Sequence, residues 1–374
     1  MLLAQVTDGT LHRPALGVDG LRLWVALHGA ECVSDARIGA AALADIERRI
    51  AQIRLIFRFI LGALDGWQVG DKHASAEFTA LDKYILLKTK YFVEQCILDY
   101  ENFRFRTVAN NFIQFLQNPL SSLYFNCVRD RLYCDRRGSP AHNAARQTLD
   151  RVGRAVCAVV APLLPHMAIE FYAHHPEFGE SQCSEALRQP LSDILQTLVS
   201  SGFGFRESAS AEQLQKEECE LINLVERCVL DIRTQIFDGG VSNSELDSVL
   251  SEQSQKKKVK TIDLRKKGVV IHAAQDSYKL LQKANRTSST SKSDLIELLG
   301  VSRVELHCLE EKDAHSDPNV LRVHAHVVDV PGTHHYCVRC RRMTRIVVDN
   351  ADVAVKVNES KVCARCDDAI SKLP

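Results

Sequence analysis

The sequence predicts a mainly α protein, an up-and-down helical bundle followed by a small α/β domain with a four-cysteine zinc knuckle at its end. Three observations carry this. Apolar residues recur at steps of three and four through much of residues 40–175. Beyond the low-complexity run Ser242 to Lys260 the period falls to two. Near the C-terminus stand two Cys-x-x-Cys pairs, Cys337-Val-Arg-Cys340 and Cys363-Ala-Arg-Cys366.

A chain of 374 residues has room for two or three domains, each with its own core. Lys plus Arg and Asp plus Glu both number 47, so overall charge favours no partner and any basic footprint must be local. The 13 cysteines are an odd set, most of them single inside helical patterns, which suits a reducing compartment better than a disulfide framework. The longest apolar candidate, Val156 to Ile169, is broken by Pro162 and Pro165, so no membrane span is expected. The first residues form neither a signal segment nor an Arg-rich amphipathic leader.

Residues 1–39 are Gly-rich and irregular, with one short helical candidate from Gly17 to Ala26. The bundle is expected over 40–175. Its first helix has Leu43, Ile46, Ile50, Ile53, Phe57, Ile60 and Leu64 on one seam, with Arg48, Arg49, Arg54 and Arg58 off it and Gly66 as an αL stop. Thr79 and Asp82 resemble a capping box with Asp in place of Glu or Gln. The helix behind them is apolar almost all round, which makes it central. A third helix carries Val108, Phe112 and Phe115 and is expected to break at Asn118-Pro119. A fourth starts with Pro119, puts Leu120, Leu123, Tyr124, Cys127 and Val128 on one face, and runs into Arg129-Asp130-Arg131 and Tyr133. After the turn Arg136 to Ser139, Pro140 opens a helix with Ala145, Leu149, Val152, Val156 and Val159 inward. Pro165 starts a short one through Phe171.

Residues 176–210 read as a polar connector. In 211–330 we expect one amphipathic helix (Leu221, Val225, Val229, Ile232, Ile236) and then a small α/β domain. Its strands are expected at Ile262/Leu264, Val269 to Ile271, Val304/Leu306 and Val323/Ala325/Val327, around two small helices and a flexible loop from Thr287 to Ser293. Residues 331–374 are the metal module.

Two Cys-x-x-Cys turns can bring four thiolates tetrahedrally onto one Zn²⁺ through Cys337, Cys340, Cys363 and Cys366. With no open coordination position that metal is structural; redox thiols, a disulfide pair and degenerate remnants are the other readings of the same residues. His334 and His335 are adjacent competitors for a shell that four cysteines already fill. The other nine cysteines, Cys127 and Cys134 among them, read as small buried hydrophobes. Three basic clusters stand out: Arg129/Arg131/Arg136/Arg137 with Tyr124 and Tyr133 interleaved, Lys256 to Lys267, and Arg339/Arg341/Arg342/Arg345 in the metal module. Taken singly, each reads as a solvated or salt-bridged surface. Three together, with aromatics to stack on unpaired bases, raise an RNA-binding reading. A phosphate-binding Gly-rich turn, His-Glu-x-x-His and Gly-x-Ser-x-Gly do not occur.

Several stretches together resemble the isoleucyl-tRNA synthetases of the bacterial and mitochondrial type. They are Pro14 to Ala26, Ile38-Gly39, Leu55 to Gly62, Leu81 to Tyr84, Leu120 to Phe125 with Arg129 to Cys134, and Ala161 to His166. The resemblance covers nearly the whole chain and implies an anticodon-binding bundle followed by a C-terminal zinc module. Arg341 follows the second cysteine where bacterial members usually carry Trp, which leans towards a mitochondrial member and a matrix location, with the cytoplasm as the alternative. The long basic spacer between the knuckles and the weak match across 176–210 depart from the family pattern.

The family attaches isoleucine to its tRNA using ATP, on a catalytic domain with an inserted editing domain. The His-Ile-Gly-His and Lys-Met-Ser-Lys-Ser signatures of that chemistry are absent from this sequence, and Ser291-Lys-Ser293 lies too far downstream to stand in for the second. The resemblance therefore implies the C-terminal part of the enzyme, a fragment or truncated gene product without catalytic residues. It would be a monomer that binds tRNA-Ile and one structural zinc, and not DNA or membrane. Arg129, Arg131, Arg136 and Arg137 in the bundle, and Arg339, Arg341 and Arg342 in the zinc module, are the expected RNA contacts. The alternative is a non-catalytic helical scaffold whose zinc ribbon binds protein.

Overall fold

The computed structural model describes residues 15–29, 39–68, 75–178, 183–199, most of 220–228, 264–285, 294–309, 323–330, 334–345 and 362–371. It is mainly helical, with a small mixed sheet near the C-terminal end. The low-complexity run, the Thr287 to Ser293 loop and Val229 onward of the amphipathic helix lie outside the described residues. Among those described, no helix is long and apolar enough to cross a membrane. Two compact units form, one of residues 1–128 and 138–206, the other of 129–137 and 207–374.

In the first unit the expected seam becomes α2 (Ala40–Ala63), which follows the short α1 (Gly17–Trp24). Leu43, Ile46, Ile53, Phe57 and Ile60 are buried, and the chain turns at Gly66 with φ +68°. The central helix is α3 (Ala80–Glu101), with Leu81, Ile85, Leu86, Phe92, Val93 and Cys96 inside. Its N-terminus is the expected box: the Asp82 N–H donates to Thr79 Oγ1 at 3.3 Å and the Thr79 N–H donates to Asp82 Oδ2 at 3.0 Å. Asp82 is also fully buried and accepts from the Tyr124 hydroxyl at 2.7 Å. One carboxylate thus caps α3 and tethers a second helical segment. Asp82→Ala keeps the Thr79 cap but removes the reciprocal carboxylate contact and the acceptor of the Tyr124 hydroxyl, so we expect a loss of about 2 kcal/mol in urea unfolding. Thr79→Ala, which loses the cap alone, should cost about 1 kcal/mol.

The break expected at Pro119 does not occur. Between α4 (Phe105–Phe115) and α5 (Asn126–Cys134) the chain stays helical in a π-helical stretch, Leu116–Phe125. An i→i+5 pattern widens the turn, so the Pro119 ring need not displace the carbonyl four residues back. Side chains supplement the loosened backbone: Ser122 Oγ donates to the Asn118 carbonyl at 2.5 Å and Asn126 Nδ2 to that of Ser122 at 2.8 Å. Leu120, Tyr124 and Phe125 remain inward.

Helix α6 (Pro140–Val160) starts as expected, with Ser139 Oγ accepting from the His142 N–H and Pro140 in the first turn. It is buried along most of its length and packs on α3 and α2. Gly153 allows the close approach: a Cβ there would meet Ile60 Cγ2 at 2.9 Å and the Phe171 ring at 3.1 Å. The short α7 (Pro165–Ala173) is tied to α1 by Asp19, which accepts from the Met167 N–H at 2.8 Å. The stretch read as a connector folds into α8 (Cys183–Ala186) and α9 (Leu191–Val199). Leu191, Ile194 and Leu198 make one short face; Ile194 and Leu198 are buried, and α9 packs against α6 and α3.

The second unit holds a three-stranded sheet in the order β2-β1-β3. The strand β1 (Lys267–Ala273) pairs parallel with β2 (Arg303–Cys308) and antiparallel with β3 (Val323–Asp329). Helices α10 (Gln275–Ala284) and α11 (Asp294–Leu299) make the crossover that a parallel pair requires. One face carries Val269, Ile271, Ala273 and Ala325 into the core. On the other, His272 stacks on His307 at 5.2 Å and on His326 at 5.3 Å. The strand expected at Ile262/Leu264 is not found: Leu264–Lys266 is a 3₁₀ turn and Ile262 lies outside the described residues.

Candidate functional site

Cys337, Cys340, Cys363 and Cys366 are all buried, and their sulfurs lie within 4.8 Å of one another. The first knuckle is the turn of a hairpin between β4 (His334–Tyr336) and β5 (Met343–Arg345). It closes with the Arg341 N–H on the Cys337 carbonyl at 2.8 Å and the Cys337 N–H on the Arg342 carbonyl at 2.9 Å. Arg341 takes φ +58° to make that turn. The second knuckle runs into α12 (Ala364–Ser371), so Cys366 sits in a first helical turn.

Zn–S bonds of about 2.3 Å in a tetrahedron put sulfurs about 3.8 Å apart. Cys340 Sγ and Cys363 Sγ are 3.9 Å apart, matching that spacing and far beyond a disulfide bond. Burial alone raises the Cys337 thiol, but the backbone N–H groups of Cys340, Cys363 and Arg339 outweigh it and bring the pKa down to about 7. The Cys340 thiol, hydrogen-bonded to Cys363, is pushed up to about 12. One thiolate forms readily and its neighbours resist, a pattern that a dication among them relieves. The residues therefore fit a four-thiolate metal ion. His334 and His335 lie half-buried on β4 and are not members of this group.

A fifth cysteine is present. Cys134 is buried as expected, and it lies in the same cluster as the four. It arrives with residues 129–137, which group with the second unit. Arg365, inside the second knuckle, donates to both oxygens of Asp130 at 3.0 and 3.1 Å and pairs with Asp135 at 2.9 Å. Arg339, inside the first knuckle, donates to the Cys366 carbonyl at 2.9 Å and the Tyr133 carbonyl at 3.0 Å. Arg342 is buried and donates to the Val301 carbonyl at 2.7 Å and the Ile296 carbonyl at 3.1 Å. Arg131 is buried and pairs with Glu297 at 2.7 Å.

The seven expected RNA contacts differ in exposure. Arg131 and Arg342 face protein partners inside the second unit and have no surface to offer a phosphate. Arg339 commits its guanidinium to two carbonyls. Arg129, Arg136, Arg137 and Arg341 are exposed. Arg365, absent from the expected set, is the best-connected arginine of the module; two acidic residues flanking an Arg/Tyr segment were the available signal.

A second group, Asp150, His175 and Glu177, also meets the distance condition for a metal. It is satisfied without one. His175 Nε2 bonds Asp150 at 3.0 Å, its Nδ1 accepts from the Glu177 N–H, and Arg154 lies 3.3 Å from Glu177 and 3.8 Å from Asp150.

Residues 82–250 match the family model described as the anticodon-binding domain of tRNA ligase. Over that stretch the chain is similar to the anticodon-binding domain of tRNA ligases, and the relatives it matches are isoleucine–tRNA ligases. It is 36% identical to that of Brevibacillus brevis over 166 residues, 44% of this chain and 18% of the relative. It is 30% identical to the mitochondrial enzyme of Mus musculus over 168 residues, 45% and 16% respectively. A match to the enzyme of Gluconobacter oxydans is 26% identical over 360 residues, 96% of this chain and 31% of the relative. The chain thus spans less than a third of the length of these relatives.

Proposed function

We propose that the chain is the RNA-binding C-terminal part of an isoleucine–tRNA ligase and that it recognises the anticodon region of tRNA-Ile. The match of residues 82–250 to the anticodon-binding domain carries this reading. Arg129, Arg136, Arg137 and Arg341 hold phosphates, and exposed aromatics, Tyr133 among them, stack on unpaired bases. One structural Zn²⁺ on Cys337, Cys340, Cys363 and Cys366 keeps the knuckles folded, and Arg131, Arg339 and Arg342 support that frame. A monomer in the mitochondrial matrix is the proposed setting; the mouse mitochondrial relative supports the compartment. The protein-binding scaffold is the less favoured reading, because the family of the matched domain binds RNA by its description.

Filter binding tests the proposal. The chain should prefer tRNA-Ile to a non-cognate tRNA, with affinity falling as salt rises. Arg136→Ala with Arg137→Ala should shallow the salt slope by about 0.7 to 0.9 for each phosphate no longer neutralised. Equal, salt-insensitive affinity for both tRNAs would sink the proposal. The chain alone should form no isoleucyl-adenylate, so isoleucine-dependent ATP–pyrophosphate exchange above background would refute its predicted inactivity.

A further inference from the structure

Among the described residues, two that are not glycine adopt positive φ: Arg341, whose conformation closes the first knuckle, and Phe103, at φ +56°. Phe103 ends α3 in a Schellman turn. Its N–H donates to the Tyr100 carbonyl at 3.0 Å, and the Arg104 N–H donates to the Asp99 carbonyl at 2.8 Å. Glycine usually fills this position in turns of this kind, because a side chain in the left-handed region is strained. Here the position holds a large aromatic that is 77% exposed, so the strain is not offset by burial. Strain held in place by its surroundings points to function.

The surroundings hold it firmly. Buried Asp99 pairs with Arg104 at 2.8 Å and accepts from Asn111 Nδ2 at 3.4 Å, fixing the turn from both sides. Phe105 lies edge-on to Phe103 (centroids 6.2 Å, 70°) and edge-on to Tyr100 (6.2 Å, 62°). Tyr100 is anchored by its hydroxyl to the Val159 carbonyl at 2.7 Å. Three rings form a chain from the core of the first unit to the surface, and the outermost is left open. Arg104 and Arg106 flank it, both exposed.

We propose that Phe103 is a preorganised stacking platform for one unpaired base of the bound RNA, with Arg104 and Arg106 drawing in the adjoining backbone. This rests on the tRNA-binding reading above and adds a specific contact to it. An exposed ring fixed in advance loses little entropy on stacking, and a π-face accepts any base. The platform should therefore contribute affinity rather than sequence choice.

The strained φ supplies the test. In the full chain, Phe103→Gly removes the ring and relieves the strain, so its thermal midpoint should equal or exceed that of the unsubstituted protein. Its filter-binding affinity for tRNA-Ile at fixed salt should nevertheless fall by about tenfold or more, with an unchanged salt slope. Phe103→Tyr should keep wild-type affinity. If Phe103→Gly binds as tightly as wild type while the Arg136/Arg137 double variant is weakened, the platform is refuted and the RNA reading stands. If the unsubstituted chain shows no specific, salt-dependent tRNA binding, the RNA reading fails and takes the platform with it. A Phe103→Gly variant that loses a protein partner but binds RNA normally also overturns the inference.

Discussion

Chelating zinc from the purified chain should unfold the hairpin and helix around the four-cysteine centre while leaving the helical bundle folded. Among the described residues, the module's two strands are three residues each and its helix eight. Such pieces cannot bury enough apolar surface to offset the entropy of ordering them. Structural zinc in small modules supplies an apparent binding free energy of about 10–16 kcal/mol near neutral pH, and that becomes folding free energy. The protein should purify with one equivalent of zinc by atomic emission, and Cys366→Ser should lower this. Hydrogen exchange read by mass spectrometry should show residues 334–345 and 362–371 losing protection on chelation, while 140–160 keep theirs. A preparation without zinc whose exchange is unchanged by chelator would refute a structural metal.

Breaking the Arg131–Glu297 pair should be the most damaging single substitution outside that centre. Both side chains are nearly inaccessible, with relative exposures of 5% and 10%. Arg131→Ala leaves a buried carboxylate without its counter-charge, at a cost of about 3–5 kcal/mol. Glu297→Ala should cost a similar amount by removing the buried carboxylate that faces the guanidinium. The double variant Arg131→Met/Glu297→Leu removes both charges and fills the space, so it should recover most of the loss in urea unfolding. The same series separates the two roles open to Arg131. A phosphate contact predicts weaker RNA binding with unchanged stability; the buried pair predicts the reverse, and the former result would overturn our assignment.

Where sequence and structure agree, the cause is local. The seam from Leu43 to Leu64, the Thr79/Asp82 box, Ser139-Pro140 and the clustering of the four cysteines follow from spacing and short-range chemistry, and each appears where the pattern puts it. The misreadings came from distant partners or from a local rule with an unforeseen escape. Nothing near Arg131 in sequence announces Glu297, 166 residues away, or pairs Asp130 with Arg365, 235 residues away. An arginine at a helix end therefore read as solvated when it was buried. Cys134 is buried, as its sequence context suggested, but the neighbours that bury it come from residues 337–366, far away in sequence. At Pro119 the rule that proline breaks an α-helix held, but the chain had a wider helix available.

That wider helix also bears on how the chain could tolerate changes in length. An α-helix advances about 100° per residue, so losing one residue inside Pro140–Val160 would swing every later side chain off its buried face. The stretch Leu116–Phe125 already carries more residues per turn than an α-helix needs. Losing Pro119 itself would remove the ring that forbids tight winding and let the segment close into ordinary α-helix. The π stretch is thus the place in the bundle where an insertion or deletion could be absorbed without re-registering the core.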